Sequence, residues 1–200
     1  MLAACALPAA ARSPGLASLA PALDSRLVNE ALAALFRHHA VVRSRDIIAI
    51  ADFGLPSSTP RFFLIDIVRG AAATLLVAHG KGSDPGHSGM LQSFSDVVGS
   101  AATSEGAYLA GEAYDGVHGP SRRLIGIDPT NAHAEERAIV IHSAWYADPE
   151  IVAQQGKLGR SDGCFAFGHR DIALVLDRLG PGRLLYAGRS LSSAAQPVTG

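Results

Sequence analysis

The sequence has little charge of either sign and no long apolar run. Lysine and arginine total 17 residues and aspartate and glutamate 18, which gives a formal net charge of -1. Because lysine and arginine are scattered, no surface is suited to nucleic acid, and we expect no nucleic-acid partner. No stretch approaches the roughly 18 continuous apolar residues of a membrane-spanning helix. The 21 glycines and 11 prolines instead predict many turns, as in a β-rich domain.

Cysteine is also scarce, with two residues in 200. Cys5 lies in an alanine-rich leading segment outside the predicted domain, so Cys164 has no expected disulfide partner within the chain. Cys164 ends the glycine-rich turn Gly159-Arg160-Ser161-Asp162-Gly163-Cys164, downstream of the apolar run 138–141 that leads into His142. An unpaired thiol in a polar turn, with a histidine that could meet it, indicates nucleophilic catalysis.

Residues 1–23 form the leading segment, which is rich in alanine, leucine and proline and shows no periodicity. Small residues before Cys5 fit a lipoprotein signal, and the run 7–11 fits the small-residue end of a cleavable signal. A disordered tail is the third reading. We predict export to the periplasm or cell envelope, with a lipid anchor on Cys5 as the alternative to cleavage.

After this leader the pattern predicts peripheral helices. Apolar residues at helical spacing follow Asp24 or Ser25 as the N-cap, which predicts an N-terminal helix within 24–45. A short helix is predicted after Asp148, with proline at its first position and Gly156 at its end. A last helix is predicted near 172–179 from spacing i, i+3, i+4 and i+7.

Short strands account for most of the rest. Strand-like runs separated by turn residues lie at 47–53, 62–68, 74–79, 106–114, 124–127, 138–141 and 183–187. The second and third runs are joined by a short turn and predict a hairpin. The fold class is therefore predicted as mainly β of the α+β type, with a catalytic domain over 46–190 and a flexible tail over 191–200.

A thiol and an imidazole in this order could carry out acyl transfer. A free thiol has a pKa of about 8.5, so a neighbouring histidine is needed to take its proton. A depressed pKa of Cys164 would support this chemistry. Glycine before the nucleophile lets backbone N–H groups approach a developing oxyanion, so the amides of Gly163 and Cys164 are the expected donors. The imidazole of His142 also needs an acceptor, either a carboxylate or a backbone carbonyl.

Several further motifs accompany the pair of His142 and Cys164. His142 followed by Ser161-Asp162-Gly163-Cys164 stands with these further segments: Val77-Ala78-His79-Gly80-Lys81, Gly106-x-Tyr108, Gly116-x-His118-Gly119, Arg123-Leu124-x-Gly126, and 137–142 with Tyr146. In these residues, over about 61–188, the chain resembles the L,D-transpeptidase (YkuD-like) catalytic domain, in its murein branch of Gram-negative bacteria.

The resemblance implies an L,D-transpeptidase-like β-sandwich or barrel and a cysteine acyltransferase acting on peptidoglycan stem peptides. Cys164 would attack the L-centre carbonyl of the diamino acid at stem position three and expel the terminal D-alanine. His142 would be the base and then the acid, while Ser161 and Gly163 shape the turn. A stem amine as acceptor gives a 3-3 cross-link, whereas water makes the protein an L,D-carboxypeptidase. No cofactor is implied.

Substrate contacts are assigned to Tyr146, His118 and Arg160. Two positions depart from the family pattern: Ser143 stands where many members have glycine, and Phe165-Ala166-Phe167 replaces the arginine or asparagine often found after the nucleophile.

Two other functions remain open. One is a catalytically idle domain that binds murein peptides or a partner protein. The other is a zinc hydrolase, for which the imaginable ligands are His79, Asp84, His87, His118 and His142. No HExxH or CxxC pattern supports a metal site, so none is predicted. The oligomeric state is not predicted.

Overall fold

In the computed structural model, which describes residues 16–191, the strand-like runs form one mixed sheet of eight strands. The strands are β1 Ile47–Asp52, β2 Phe62–Asp66, β3 Ala71–Leu75, β4 Gly106–Gly116, β5 Gly119–Gly126, β6 Val140–Ser143, β7 Phe165–Phe167 and β8 Leu184–Gly188. Their order is β3-β2-β1-β8-β4-β5-β6-β7. The pairs β1–β8 and β6–β7 are parallel and the other neighbouring pairs antiparallel. The predictions for Cys5 and for most of the tail fall outside the described residues.

The sheet curls because its two edges approach each other. The chain that leaves β3 reaches β7, where the Ala78 N–H donates to the Ala166 carbonyl at 2.9 Å. Inside the curl lies a core with large buried aromatics, namely Phe53, Phe62, Tyr108, Phe165 and Phe167. Phe62 and Phe167, from opposite ends of the strand order, pack edge to face with ring centroids 4.8 Å apart. The prediction of a mainly β fold with peripheral helices is confirmed, in the form of a curled half-barrel.

Four helices lie outside the sheet: α1 Leu16–Leu19, α2 Ser25–Arg37, α3 Pro149–Gln155 and α4 Ile172–Arg178. Asp24 caps α2, since its carboxylate accepts the N–H groups of Arg26 and Leu27. Gly156 ends α3 in the left-handed conformation, with a φ of 72°. None of the described helices has the length and apolar character required to cross a membrane.

Two cores occupy the two faces of the sheet. Helix α2 packs on β1 and β8 with Leu27 and Ala31 fully buried, and α4 packs on the other face with Val175 and Leu179. Leu23, from the segment assigned to the leader, is buried against α2 as well.

Two strand predictions are corrected by the structure. The third strand covers Ala71–Leu75 and not 74–79, because Gly70 turns the chain at a φ of 66° and lets pairing with β2 start at once. Residues 76–79 then leave β2 and approach β7. Strand β7 itself was not predicted, since three residues carry too short a pattern to read.

Candidate active site

Strands β6 and β7 bring the predicted nucleophile and base to one face of the sheet. They run parallel, with His142 opposite Ala166 and Ile141 opposite Phe165. Side chains alternate along a strand, so Ile141 and Phe165 point into the core while His142 lies on the opposite face. Cys164 lies one residue before β7, and the same alternation, continued by one residue, would put its side chain on the face of His142. Their Cα atoms are therefore offset by one strand spacing, about 4.8 Å, and by two residues, roughly 6.6 Å along the strands.

The imidazole of His142 has a defined tautomer. Its Nδ1 lies 2.9 Å from the carbonyl oxygen of Ser143, and a carbonyl can only accept, so Nδ1 carries the hydrogen. The lone pair is then on Nε2. The acceptor that the sequence left open is thus a backbone carbonyl, contributed by the residue that departs from the glycine of many family members.

Burial sets the charge state of this histidine. Only 3% of His142 is exposed, and this desolvation lowers its pKa below the ordinary value. The bond to Ser143 raises the pKa and the charge of His118 lowers it further. The imidazole is consequently held neutral at neutral pH, as a general base requires.

His118 lies directly over His142. The two rings are stacked, with centroids 4.2 Å apart and planes 23° from parallel. His118 is at the turn between β4 and β5, and its carbonyl accepts the hydroxyl of Ser143 at 3.1 Å. His118, one of the positions to which substrate binding was assigned, thus lies against the predicted base His142.

The thiol of Cys164 is partly buried at the end of the turn, where its Sγ lies 3.7 Å from the carbonyl of Ala138. Burial raises the pKa of this thiol, and the Asp162 carboxylate raises it further. The backbone N–H of Val140 and the guanidinium of Arg137 lower it without reversing the shift. The depressed pKa that would support the chemistry is therefore not found, and the shifts favour a neutral thiol at Cys164 and a neutral imidazole at His142.

Glycine is required at position 163 for two reasons. Its φ of 114° is rarely adopted by residues with a side chain, and a Cβ there would lie 2.7 Å from the Ala102 carbonyl oxygen. Ser161 fixes the rest of the turn: its hydroxyl accepts the Gly163 N–H at 3.1 Å and donates to the Cys164 carbonyl at 2.7 Å. The Gly163 amide, expected as an oxyanion donor, is therefore directed at Ser161 in this conformation.

The turn is supported from behind by the segment that follows β3. The Ser161 N–H donates to the His79 carbonyl at 2.9 Å, and the Lys81 N–H donates to the Ser161 carbonyl at 2.8 Å. Outside, the Lys81 ammonium lies 2.6 Å from the Asp162 carboxylate. A Cβ on Gly80 would come within 2.8 Å of the Gly163 Cα, so two glycines allow the backbones to touch.

A buried polar group anchors this supporting segment. Arg61 is fully buried and donates to the carbonyls of Val77 and Leu55 and to Nδ1 of His79, the last at 2.6 Å. The Nε2 of His79 faces the Asp84 carboxylate at 3.5 Å, longer than a good hydrogen bond. Burial, and then the charge of Arg61, lowers the pKa of His79 to about 4. Sequence reasoning missed this group, because nothing in the pattern marks an arginine before a strand as buried.

The two remaining substrate candidates lie beside the turn. Burial raises the pKa of Tyr146 to about 12, with smaller contributions in the same direction from Cys164 and Asp162. Arg160 donates to the backbone carbonyls of Asp84 and Pro85, so its guanidinium holds the 84–85 loop. A cavity of about 270 Å³ lies next to them, lined by Lys81, His87, Trp145, Tyr146, Ile151, Gln155, Gly159 and Arg160.

The imagined zinc ligands fall into separate contacts. His79 faces Asp84, His118 stacks on His142, and Nε2 of His87 lies 2.9 Å from the Leu158 carbonyl. Within residues 16–191 no three histidine, cysteine, aspartate or glutamate side chains form a group that could hold a metal ion.

Comparison with known proteins gives one family and several similar folds. A family model described as the L,D-transpeptidase catalytic domain matches residues 19–187. An L,D-transpeptidase from Mycobacterium tuberculosis H37Rv is similar at 13% identity and a TM-score of 0.46, over 72% of this chain and 58% of that one. L,D-transpeptidase 3 from the same species is similar at 12% identity and a TM-score of 0.47, over 72% of this chain and 61% of that one. The L,D-transpeptidase of Xylanimonas cellulosilytica DSM 15894 is similar at 13% identity and a TM-score of 0.43, over 73% of this chain and 62% of that one.

The matched region therefore spans less than two thirds of these solved chains. No curated protein matches the sequence.

Proposed function

Since the chain belongs to the L,D-transpeptidase catalytic domain family, which acts on peptidoglycan stem peptides, we propose that it is a cysteine acyltransferase of the cell wall. Cys164 is the nucleophile and His142 the general base and acid. The observation that supports the proposal is the parallel pairing of β6, which carries His142, with β7, which begins directly after Cys164, together with the bond from Nδ1 of His142 to the Ser143 carbonyl.

The neutral resting pair determines the order of proton transfer. Nε2 of His142 removes the thiol proton while the sulfur attacks the L-centre carbonyl at stem position three, because no thiolate is formed beforehand. The Cys164 N–H is the proposed donor to the resulting oxyanion, since the Gly163 N–H is taken by Ser161.

Collapse of the tetrahedral intermediate breaks the peptide bond. Protonated His142 gives its proton to the departing nitrogen, so D-alanine leaves as the free amine and the stem remains on Cys164 as a thioester. The acceptor then attacks this thioester, and His142 takes the acceptor's proton. A stem amine yields a 3-3 cross-linked dimer and a free thiol, whereas water yields a tripeptide stem.

The substrate also bears on where the protein acts. Peptidoglycan stems lie outside the cytoplasmic membrane, so the proposed activity requires an exported protein of the periplasm or cell envelope. The family membership supports this location.

The raised pKa of Cys164 favours one alternative, a catalytically idle domain that binds murein peptides or a partner protein. The two functions differ in covalent chemistry. An enzyme forms an adduct between Cys164 and a carbapenem, because the strained lactam acylates the same thiol; an idle domain keeps that thiol unmodified.

Mass spectrometry of purified muropeptides incubated with the protein tests the proposal. We expect new 3-3 dimers or trimmed tripeptides, with loss of both in Cys164→Ser, where the weaker hydroxyl nucleophile occupies the same position. The Val117→Ala variant is a matched control, since Val117 is 98% exposed on the β4–β5 turn. Unchanged muropeptides together with an unmodified thiol after carbapenem treatment would overturn the enzyme and support the binding domain.

A further inference from the structure

We propose that His118 is a positioning residue, whose imidazole covers His142 and holds its Nε2 toward Cys164. The inference rests on the proposed function of the site and gives His118 a role other than substrate binding. It is argued from the stacked rings and from the backbone contact of the same turn.

The stack separates the base from water. His142 is 3% exposed although β6 lies one strand from the edge of the sheet, and the side chain that covers it, His118, is itself exposed. With centroids 4.2 Å apart, the ring of His142 cannot rotate about its Cβ–Cγ bond unless His118 moves. A half-turn would exchange Nδ1 with Cδ2 and Nε2 with Cε1, which would break the bond to the Ser143 carbonyl and move the lone pair of Nε2, so the stack preserves the assignment of Nε2 as the base.

A second contact ties the same turn to the acceptor of His142. The Ser143 hydroxyl donates to the His118 carbonyl at 3.1 Å, while the Ser143 carbonyl accepts Nδ1–H of His142 at 2.9 Å. The turn is itself fixed, because Gly119 adopts a φ of 74° and its carbonyl accepts the Ser121 hydroxyl at 2.9 Å. His118 and Ser143 therefore hold the imidazole from its face and from its Nδ1 edge.

Like charge adds to the effect. The charge of His118 lowers the pKa of His142, in the same direction as burial. Other charged groups around β6 are engaged elsewhere. On β5, Arg122 donates to the Gly111 and Leu176 carbonyls and Arg123 lies over the Tyr114 ring; after β6, Asp148 bonds His169. Cys164 lies just before β7, with its Sγ 3.7 Å from the Ala138 carbonyl, and burial raises the pKa of its thiol.

The test compares His118→Phe, which keeps a stacked ring, with His118→Ala, which removes it. Nitrogen-15 NMR of histidine-labelled full chain reports the tautomer and the pKa of His142, with its signals assigned from a His142→Gln sample. We expect the Nδ1–H tautomer in the parent and in His118→Phe, and a mixture of tautomers in His118→Ala. The pKa of His142 should rise by roughly half a unit or more in His118→Ala, which loses both the cover and the charge. Val117→Ala should change neither quantity.

The rate of carbapenem acylation of Cys164 gives the second readout. We expect a loss of about tenfold in His118→Ala, and a rate within about threefold of the parent in His118→Phe, because orientation of the base is restored by any stacked ring. An unchanged tautomer and pKa in His118→Ala, or equal losses of rate in both variants, would refute the proposal. The NMR result stands even if the parent proves unreactive, so failure of the enzyme proposal is separable from failure of this one.

Discussion

At the scale of single residues, the carbonyl of Ser143 decides which nitrogen of His142 is free to act. It accepts Nδ1–H, and burial then keeps the ring neutral. The pKa of Cys164 is shifted in the opposite direction to that of His142, because burial raises the pKa of a thiol. A thiol and a histidine with these shifts do not form the thiolate–imidazolium pair of enzymes that activate cysteine in advance. The pH dependence of thiol reactivity distinguishes the two states.

We predict that the rate of Cys164 alkylation by iodoacetamide rises with pH throughout the neutral range. Because the thiol pKa lies above its ordinary value, each pH unit below that pKa should change the thiolate fraction, and hence the rate, by about tenfold. The measurement uses Cys5→Ser, so that only one cysteine reacts. His142→Gln should leave the profile in place. A rate that is flat between about pH 6 and 8 would instead reveal a thiolate–imidazolium pair.

Gly163→Ala should destabilise the fold and disable the site. The new Cβ would meet the Ala102 carbonyl at 2.7 Å in a backbone conformation with a φ of 114°. We expect a loss of about 1–3 kcal/mol in the free energy of unfolding, measured with urea, and slower carbapenem acylation. Gly99→Ala is the control, because its φ of 80° imposes the same kind of strain with no atom within 4 Å of the Cβ. Equal losses in both variants would show that the contact with Ala102 contributes nothing.

The candidate residues that the sequence indicates are those whose type carries the chemistry, Cys164 and His142, and their roles stay a prediction. The backbone groups around them could not be found this way. The carbonyls of Ser143 and Ala138 and the N–H of Val140 contact the site through atoms that every residue has. Only their place in the β6–β7 pairing makes them part of the site.

At the scale of elements, the segment from Val77 to Lys81 links a strand edge to the turn 159–164. It pairs with β7 and with Ser161, and it is anchored by His79 against Arg61. The sequence predicted a strand over 74–79 in a hairpin with 62–68, but the structure ends that strand at Leu75 and brings Ala78 to β7, because this second pairing depends on how far the sheet curls. Helices α2 and α3 were better defined, since their caps are local signals.

His79 should make the fold sensitive to acid. Its folded-state pKa is about 4, below the ordinary value of 6.5, so the folded state binds fewer protons than the unfolded chain between these values. The stability it contributes is complete above pH 6.5 and is lost as the pH falls toward 4. Comparing urea unfolding at neutral pH and at about pH 5, we expect the parent to lose roughly 2 kcal/mol from this group.

His79→Gln tests the assignment, because glutamine has no titration in this range. The variant should be less stable at neutral pH and should lose less stability on acidification than the parent. His39→Gln, at an exposed position after α2, serves as the control, and its loss of stability on acidification should equal that of the parent. An identical acid loss in the parent and in His79→Gln would assign the sensitivity to other groups.

At the scale of the whole molecule, the turn 159–164 depends on closure of the sheet. Its contacts come from segments far apart in the chain: the backbone of His79 and Lys81, the loop at Ala102, and Ala138 before β6. No local pattern predicts such an arrangement, although the order of strands and turns was largely readable. The core under α2, against the central strands β1 and β8, is separated from β6 and β7 by β4 and β5 in the strand order.

This separation predicts that stability and reactivity can be changed independently. Leu27 is fully buried on α2, and its Cδ1 would lie 2.5 Å from a Cβ on Gly188 of β8. Leu27→Ala should lower the free energy of unfolding by about 2–5 kcal/mol, because it leaves a cavity between α2 and β8. Leu32→Ala, on the same helix at 37% exposure, should cost less than about 1 kcal/mol.

The rate of carbapenem acylation of Cys164, measured without denaturant, should stay within about twofold of the parent in both leucine variants. The reason is that β4 and β5 separate β6 and β7 from β8 in the strand order. The comparison requires that circular dichroism first shows Leu27→Ala to be folded under the assay conditions. If the folded Leu27→Ala variant then acylated much more slowly than Leu32→Ala, packing under α2 would have to reach the site through β8, β4 and β5. The core under α2 and the site would then behave as a single cooperative unit.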